Sequence, residues 1–193
     1  MIITSLRILD LTSEKKEGMS EGWLLWELMR ILGFEKNVKF DFVKGKSHFR
    51  ELLNEAKETY IHIGAHGDVI SGETGLLTPR EAVITSEDLV GIWRRRRKKP
   101  TLIVLSACKT GHIDFVRTFL DLGVKNVIAP LNDTCWDDAA IFSTMLYKLL
   151  IGKEMSPWVS YRNAICGYRK TFGKLSGAWR FYENGELNQV ECY

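Results

Sequence analysis

Leu102-Ile-Val-Leu-Ser-Ala-Cys-Lys-Thr-Gly111 begins as an apolar run and closes on a cysteine, with a glycine three residues later. It reads as a buried strand whose end delivers a thiol into a loop. Upstream, Tyr60-Ile-His-Ile-Gly-Ala-His-Gly-Asp68 has the same design and breaks at His66-Gly67. Two strands of one sheet that end in His66 and Cys108 would set an imidazole beside a thiol, the pairing a cysteine nucleophile needs.

Outward from these strands, apolar runs alternate with helical patterns. Ile2 to Leu11 reads as a first strand, and Ser20 as the cap of a helix through Leu32. In that helix Trp23, Leu24, Leu28 and Ile31 form the expected apolar face and Gly33 the stop. Val38-Lys-Phe-Asp-Phe-Val43 alternates as a strand, and Ser47 to Lys57 spaces Phe49, Leu52, Leu53 and Ala56 as a helix. Gly67 to Val83 suggests a loop with a small hairpin, and Ser86 starts a helix toward Trp93. After Cys108 come a helix from Ile113 to Leu122, a strand from Val124 to Pro130 and a helix from Asp137 to Leu150. Ser156-Pro157 caps a further helix to about Tyr168, and a last strand covers Ala178 to Tyr182 before the Asn184-Gly185 turn. The alternation predicts an α/β fold, a sandwich with a mostly parallel central sheet.

At 193 residues the chain fits one domain, residues 1–193. A hydrophobic content of 45% and a charged content of 26% exclude a disordered or fibrous chain. The net charge of +3 is too small by itself to argue for nucleic acid, which is not expected as a partner. No apolar run reaches the roughly 18 residues of a membrane helix, and no basic flank introduces a signal peptide. Cys108, Cys135, Cys166 and Cys192 are far apart and form no CxxC pair, so neither a zinc site nor a disulfide framework is expected. This usage predicts a reducing cytoplasm, and no cofactor is implied.

Loops at the carboxyl ends of parallel strands are where α/β sheets place their chemistry. An acyl-transfer enzyme needs a thiolate, an imidazole and N–H donors for the oxyanion. Cys108 and His66 supply the first two, and the N–H groups of Gly67 and Cys108 are the candidate donors. The competing reading makes Cys108 a buried strand-end cysteine and His66 a loop histidine. The coincidence of two such strand ends favours the pair.

Leu105-Ser-Ala-Cys-Lys-Thr-Gly111 resembles the Leu-Ser-Ala-Cys-Glu-Thr-Gly motif of CHAT domains, caspase-like cysteine peptidases related to separases and caspases. Ile63-Gly-Ala-His-Gly67 is similar to the family's His-Gly box. Gly123 to Leu131, the helix carrying Asp137, Ala139, Phe142, Tyr147, Leu149, Leu150 and Gly152, and the strand around Trp179 and Phe181 resemble the family's later elements. The likeness covers roughly residues 58–185. It implies a caspase-like three-layer α/β/α sandwich, Cys108 as nucleophile, His66 as its partner, and peptide-bond hydrolysis through a thioester. It also implies a bacterial protein acting on a protein substrate in defence or regulated proteolysis. Repeat domains that sense a signal are often joined to such domains, so here a separate regulatory or sensor protein is expected. The chain departs from the pattern at Lys109, where Glu is usual, at Asn132, where Trp is frequent, and in a longer Asp133–Trp136 segment. A catalytically silent, partner-binding member is the alternative. A flavodoxin-like binding module ranks lower, because a phosphate loop and an acidic cluster are missing.

Other constellations carry less. His62, His66 and Asp68 suggest a metal site, but His62 and His66 are about 13 Å apart on a continuous strand, so no metal is expected. His62 reads instead as a core residue or a support for His66, and His112 as a helix-start residue. Trp23 and Trp26 read as core. Arg94-Arg-Arg-Arg-Lys-Lys99 reads as a solvated helix end, with a docking patch or a self-cleavage site as other uses. Asp133, Asp137 and Asp138 are candidates for a pocket that accepts a basic P1 side chain, with helix capping as the competing role of the last two.

Overall fold

The computed structural model describes residues 4–12, 20–70, 72–80, 82–93 and 98–192. Ten strands appear among them: β1 Leu6–Asp10, β2 Val38–Phe42, β3 Tyr60–Gly64, β4 His66–Ile70, β5 Glu73–Leu77, β6 Val83–Ile84, β7 Leu102–Ser106, β8 Asn126–Pro130, β9 Trp179–Glu183 and β10 Glu186–Asn188. The helices are α1 Glu21–Ile31, α2 Lys46–Glu55, α3 Ser86–Leu89, α4 Ile113–Asp121, α5 Trp136–Gly152 and α6 Pro157–Phe172. Seven strands form the central sheet in the order β10-β9-β8-β7-β3-β1-β2. β2, β1, β3, β7 and β8 run parallel, and β9 and β10 antiparallel. This is the expected α/β sandwich with a mostly parallel sheet.

The four innermost parallel strands β1, β3, β7 and β8 are buried along their whole length. Covered on both faces, they carry apolar side chains at successive positions. Leu9, Ile61, Ile63, Ile103, Leu105 and Val127 face a core with α2 and α4. Leu6, Ile8, Leu102, Val104 and Ile128 face a second core with α1, α5 and α6. The two cores with the sheet between them make the three layers.

Three local expectations change. The strand expected to run as far as His66 ends at Gly64, and His66 begins a separate three-stranded sheet, β4-β5-β6, where a small hairpin was expected. The helix from Ser86 stops at Leu89, before Gly91 at φ 84°. The buried face of α1 carries Glu21, Leu25 and Met29, while Ile31 is 75% exposed. This i, i+4, i+8 stripe starts with a carboxylate, and a purely apolar pattern cannot find it.

The cysteine expectation is corrected. Cys166 on α6 and Cys192 in the C-terminal tail are disulfide-bonded, with Cα atoms 5.4 Å apart. The β9–β10 return carries the tail back, and Val190 and Cys192 pack on the core that holds α6. Spacing along the chain does not reveal such a closure. Among the described residues no helix is long and apolar enough to cross a membrane. Of the basic run, Arg94 to Arg97 lie outside the described residues.

Candidate active site

Strand register explains why His66 and Cys108 reach one cavity. β3 and β7 are parallel neighbours with Gly64 opposite Ser106, and the Ala65 N–H donates to the Ser106 carbonyl at 3.1 Å. His66 and Cys108 each follow two residues later, so both emerge at one sheet edge. They line a single cavity of about 400 Å³. Thr12, beyond β1, lines it too. The cavity therefore lies at the carboxyl ends of β1, β3 and β7, beside β1, where the chain reverses its direction of travel across the sheet.

Gly67 lies against the cysteine backbone. A Cβ built there would sit 2.1 Å from the Cys108 carbonyl oxygen and 3.0 Å from its nitrogen. Only glycine fits this approach. Beyond the cysteine the chain turns sharply, with Lys109 at φ 61°. The turn is tied to the end of β8: the Gly111 N–H donates to the Pro130 carbonyl at 2.7 Å, and the Lys109 N–H to the Asn132 carbonyl at 3.3 Å. Thr110 Oγ1 donates to the Ala107 carbonyl at 2.6 Å, and the Tyr182 hydroxyl to the Gly111 carbonyl at 2.6 Å. The Lys-Thr-Gly tail of the motif is thus structural. A side chain at 111 would come within 2.8 Å of Pro130.

Thr134, which the sequence does not single out, holds the sulfur. Its N–H points at Cys108 Sγ at 3.4 Å, and its carbonyl lies 3.8 Å from the thiol. An N–H aimed at sulfur is placed to stabilise negative charge there. Cys135 and Trp136 follow on the cavity wall, Cys135 as an exposed free thiol and Trp136 at 52% exposure.

The three aspartates separate. Asp137 lines the cavity. Asp133 is exposed and lies 3.6 Å from Lys109 Nζ. Asp138 turns away and accepts from the Tyr168 hydroxyl and, at 3.2 Å, from the Ser176 N–H. Burial works to raise the Asp138 pKa, but the Ser176 and Tyr168 donors outweigh it and hold the carboxyl below its ordinary range. Lys109 reaches Asp68 at 3.4 Å as well as Asp133. The Asp68 hydrogen bond and the Asp133 charge raise its pKa. Its cation is thus engaged with carboxylates on either side.

Beneath the cavity lies a buried polar chain. His62 is fully buried, with Nε2 3.0 Å from Glu21 Oε2 and Nδ1 3.3 Å from the Tyr147 hydroxyl. Ser20 and Glu21 line the cavity. Ser20 caps α1, accepting from the Trp23 N–H at 3.1 Å while its own hydroxyl donates to Asp10. Asp10 also accepts from Thr12, at 2.9 Å from the N–H and 2.6 Å from the hydroxyl. His112 precedes α4 in a different cavity, and among the described residues no three His, Cys, Asp or Glu side chains gather to hold a metal.

Comparison with protein-family models matches the CHAT domain over residues 24–158. The chain belongs to the CHAT-domain family, a caspase-like family whose chemistry is compatible with a cysteine peptidase. The match begins inside α1 and ends at the start of α6, so it takes in β3, β7 and the loop that holds Thr134. A search of curated proteins finds no match.

Proposed function

We propose that the protein is a cysteine endopeptidase that cleaves a protein substrate through Cys108 and His66. The observation that carries this is the shared cavity: imidazole and thiol leave adjacent parallel strands at the same offset and line one pocket. The size of the cavity suits a substrate side chain with its flanking backbone.

In the reaction His66 takes the thiol proton and the Cys108 sulfur bonds to the carbonyl carbon. The resulting oxyanion is held by the N–H groups of Gly67 and Cys108. Among the described residues nothing accepts from the Cys108 N–H. Collapse breaks the C–N bond, and the leaving amine takes the proton from His66. Water then attacks the thioester carbon and gives its proton to His66, releasing the acid and restoring the thiol. Activation by a separate sensor chain, in a bacterial defence or regulated-proteolysis setting, belongs to the same reading. The cytoplasmic location inferred from cysteine spacing loses support from the Cys166–Cys192 bond, because such bonds are rare in reducing compartments.

A peptidyl acyloxymethyl ketone tests the reading. It labels the wild-type chain, fails on Cys108→Ala and labels His66→Ala more slowly. Unchanged labelling of Cys108→Ala removes Cys108 as nucleophile. Absence of labelling with every P1 residue favours the partner-binding alternative.

A further inference from the structure

The cavity in front of Cys108 holds a carboxylate with an unused oxygen. Glu21 is 6% exposed and lines the cavity. Oε2 faces His62, whereas Oε1 is buried without a hydrogen-bond partner among the described residues. His62 is itself closed by Tyr147 on its other nitrogen. Among the described residues no lysine or arginine pairs with Glu21. A buried carboxylate with an unpaired oxygen invites a cation.

The rest of the cavity agrees. Among the described residues lining it there is no lysine or arginine, and Asp137 adds a second carboxylate. Ala65, Ala107 and Ala139 give it small apolar walls, and Trp136 stands half-exposed among its lining residues. An apolar sleeve leading to a carboxylate matches an aliphatic stem that ends in a positive head. An indole can also stack on a guanidinium. Asp133 and Asp138, the other acidic candidates, are engaged with Lys109 and with Tyr168 and Ser176.

We infer that Glu21 is the specificity-determining residue of the cavity, selecting a substrate with a positively charged arginine or lysine side chain at the cleavage position. The inference rests on the peptidase reading, because the cavity is taken to bind the residue whose carbonyl Cys108 attacks. Because His62 holds Oε2 and Oε1 is buried, Glu21 acts on the cationic head by charge, without the two-point fork that arginine makes with a free carboxylate.

The test compares matched acyloxymethyl ketones on the full chain, carrying arginine, citrulline, lysine, norleucine or aspartate at P1. Citrulline and norleucine keep the shape and remove the charge. Wild-type protein should label roughly 10- to 100-fold faster with arginine than with citrulline, and with lysine than with norleucine. Glu21→Gln should bring both ratios close to one, and Asp137→Asn should lower them less. If Glu21→Gln does not fold, the wild-type ratios still decide. Labelling of Cys108 with ratios near one, or fastest with aspartate, overturns the inference and leaves the peptidase reading standing. Wild-type ratios that persist in Glu21→Gln overturn the role of Glu21. No labelling with any P1 residue strikes the peptidase reading itself, and the inference falls with it.

Discussion

Two charged regions flank Cys108, and they are built in opposite ways. Behind the cavity, Asp10 and His62 are fully buried and Glu21 is 6% exposed. In front, Lys109, Asp68 and Asp133 have side chains 37%, 51% and 75% exposed. Water screens the front pairs, and exposed pairs add little to stability. Behind, each charge has lost its hydration and depends on its protein partner. The difference teaches where substitutions should matter. On the proposed reading the rear wall should govern folding and selectivity, whereas the rim should only trim local geometry. His62→Leu breaks the rear wall most directly, leaving Glu21 buried without its partner. It should cost about 3–5 kcal/mol in denaturant unfolding. The double variant Glu21→Leu with His62→Leu, which removes the carboxylate together with its partner, should recover most of that loss. A single-variant cost of about 1 kcal/mol, typical of an ordinary substitution, would mean that the two residues do not act as a pair.

Asp138 lies between the extremes, part-buried and bonded to the neutral donors Tyr168 and Ser176. Asp138→Asn should lose about 1 kcal/mol after allowance for solvent screening. The sign with pH follows from the depressed carboxyl. A carboxyl whose pKa is lower folded than unfolded contributes stability above its unfolded value, near 3.9, and loses it as pH falls through the folded value. Tyr168 sets the alkaline side: burial and then the Asp138 hydrogen bond push it up to about 12. A raised group contributes below its unfolded value, near 10, and loses that contribution as pH rises through the folded value. The gap between wild type and variant should therefore be full from about pH 4 to 10 and should narrow outside it. Melting midpoints measured across pH check this, and a gap that widens in acid contradicts the assignment.

The sequence makes the parallel sheet and the convergence of His66 and Cys108 on one cavity legible for one physical reason. Buried parallel strands are uniformly apolar, so their ends stand out, and equal offsets beyond Gly64 and Ser106 bring the two residues together. Thr134 carries no such signal, because it acts through its main chain and any residue type except proline could provide that N–H. Glu21 leaves a trace only once a carboxylate is allowed at the head of the Leu25 and Met29 stripe. Cys166 and Cys192 are brought together by the β9–β10 return, a tertiary event that no local pattern encodes.

The rim offers the smallest effect and the finest test. Lys109 combines two exposed ion pairs with a left-handed backbone at φ 61°. If charge matters there, Lys109→Met should lower stability at low salt, and the difference should vanish near 1 M salt, where screening reaches about 3 Å. Because both ion pairs are exposed, the loss should lie at the edge of detection. The rate of iodoacetamide reaction with Cys108 should change less than about fivefold. Lys109→Gly separates charge from strain, because it removes the same ion pairs and also relieves the left-handed conformation. It should be more stable than Lys109→Met at every salt concentration. A Lys109→Gly chain less stable than Lys109→Met would mean that the turn after Cys108 draws its rigidity from a side chain at 109, and the rim would then share in holding Cys108.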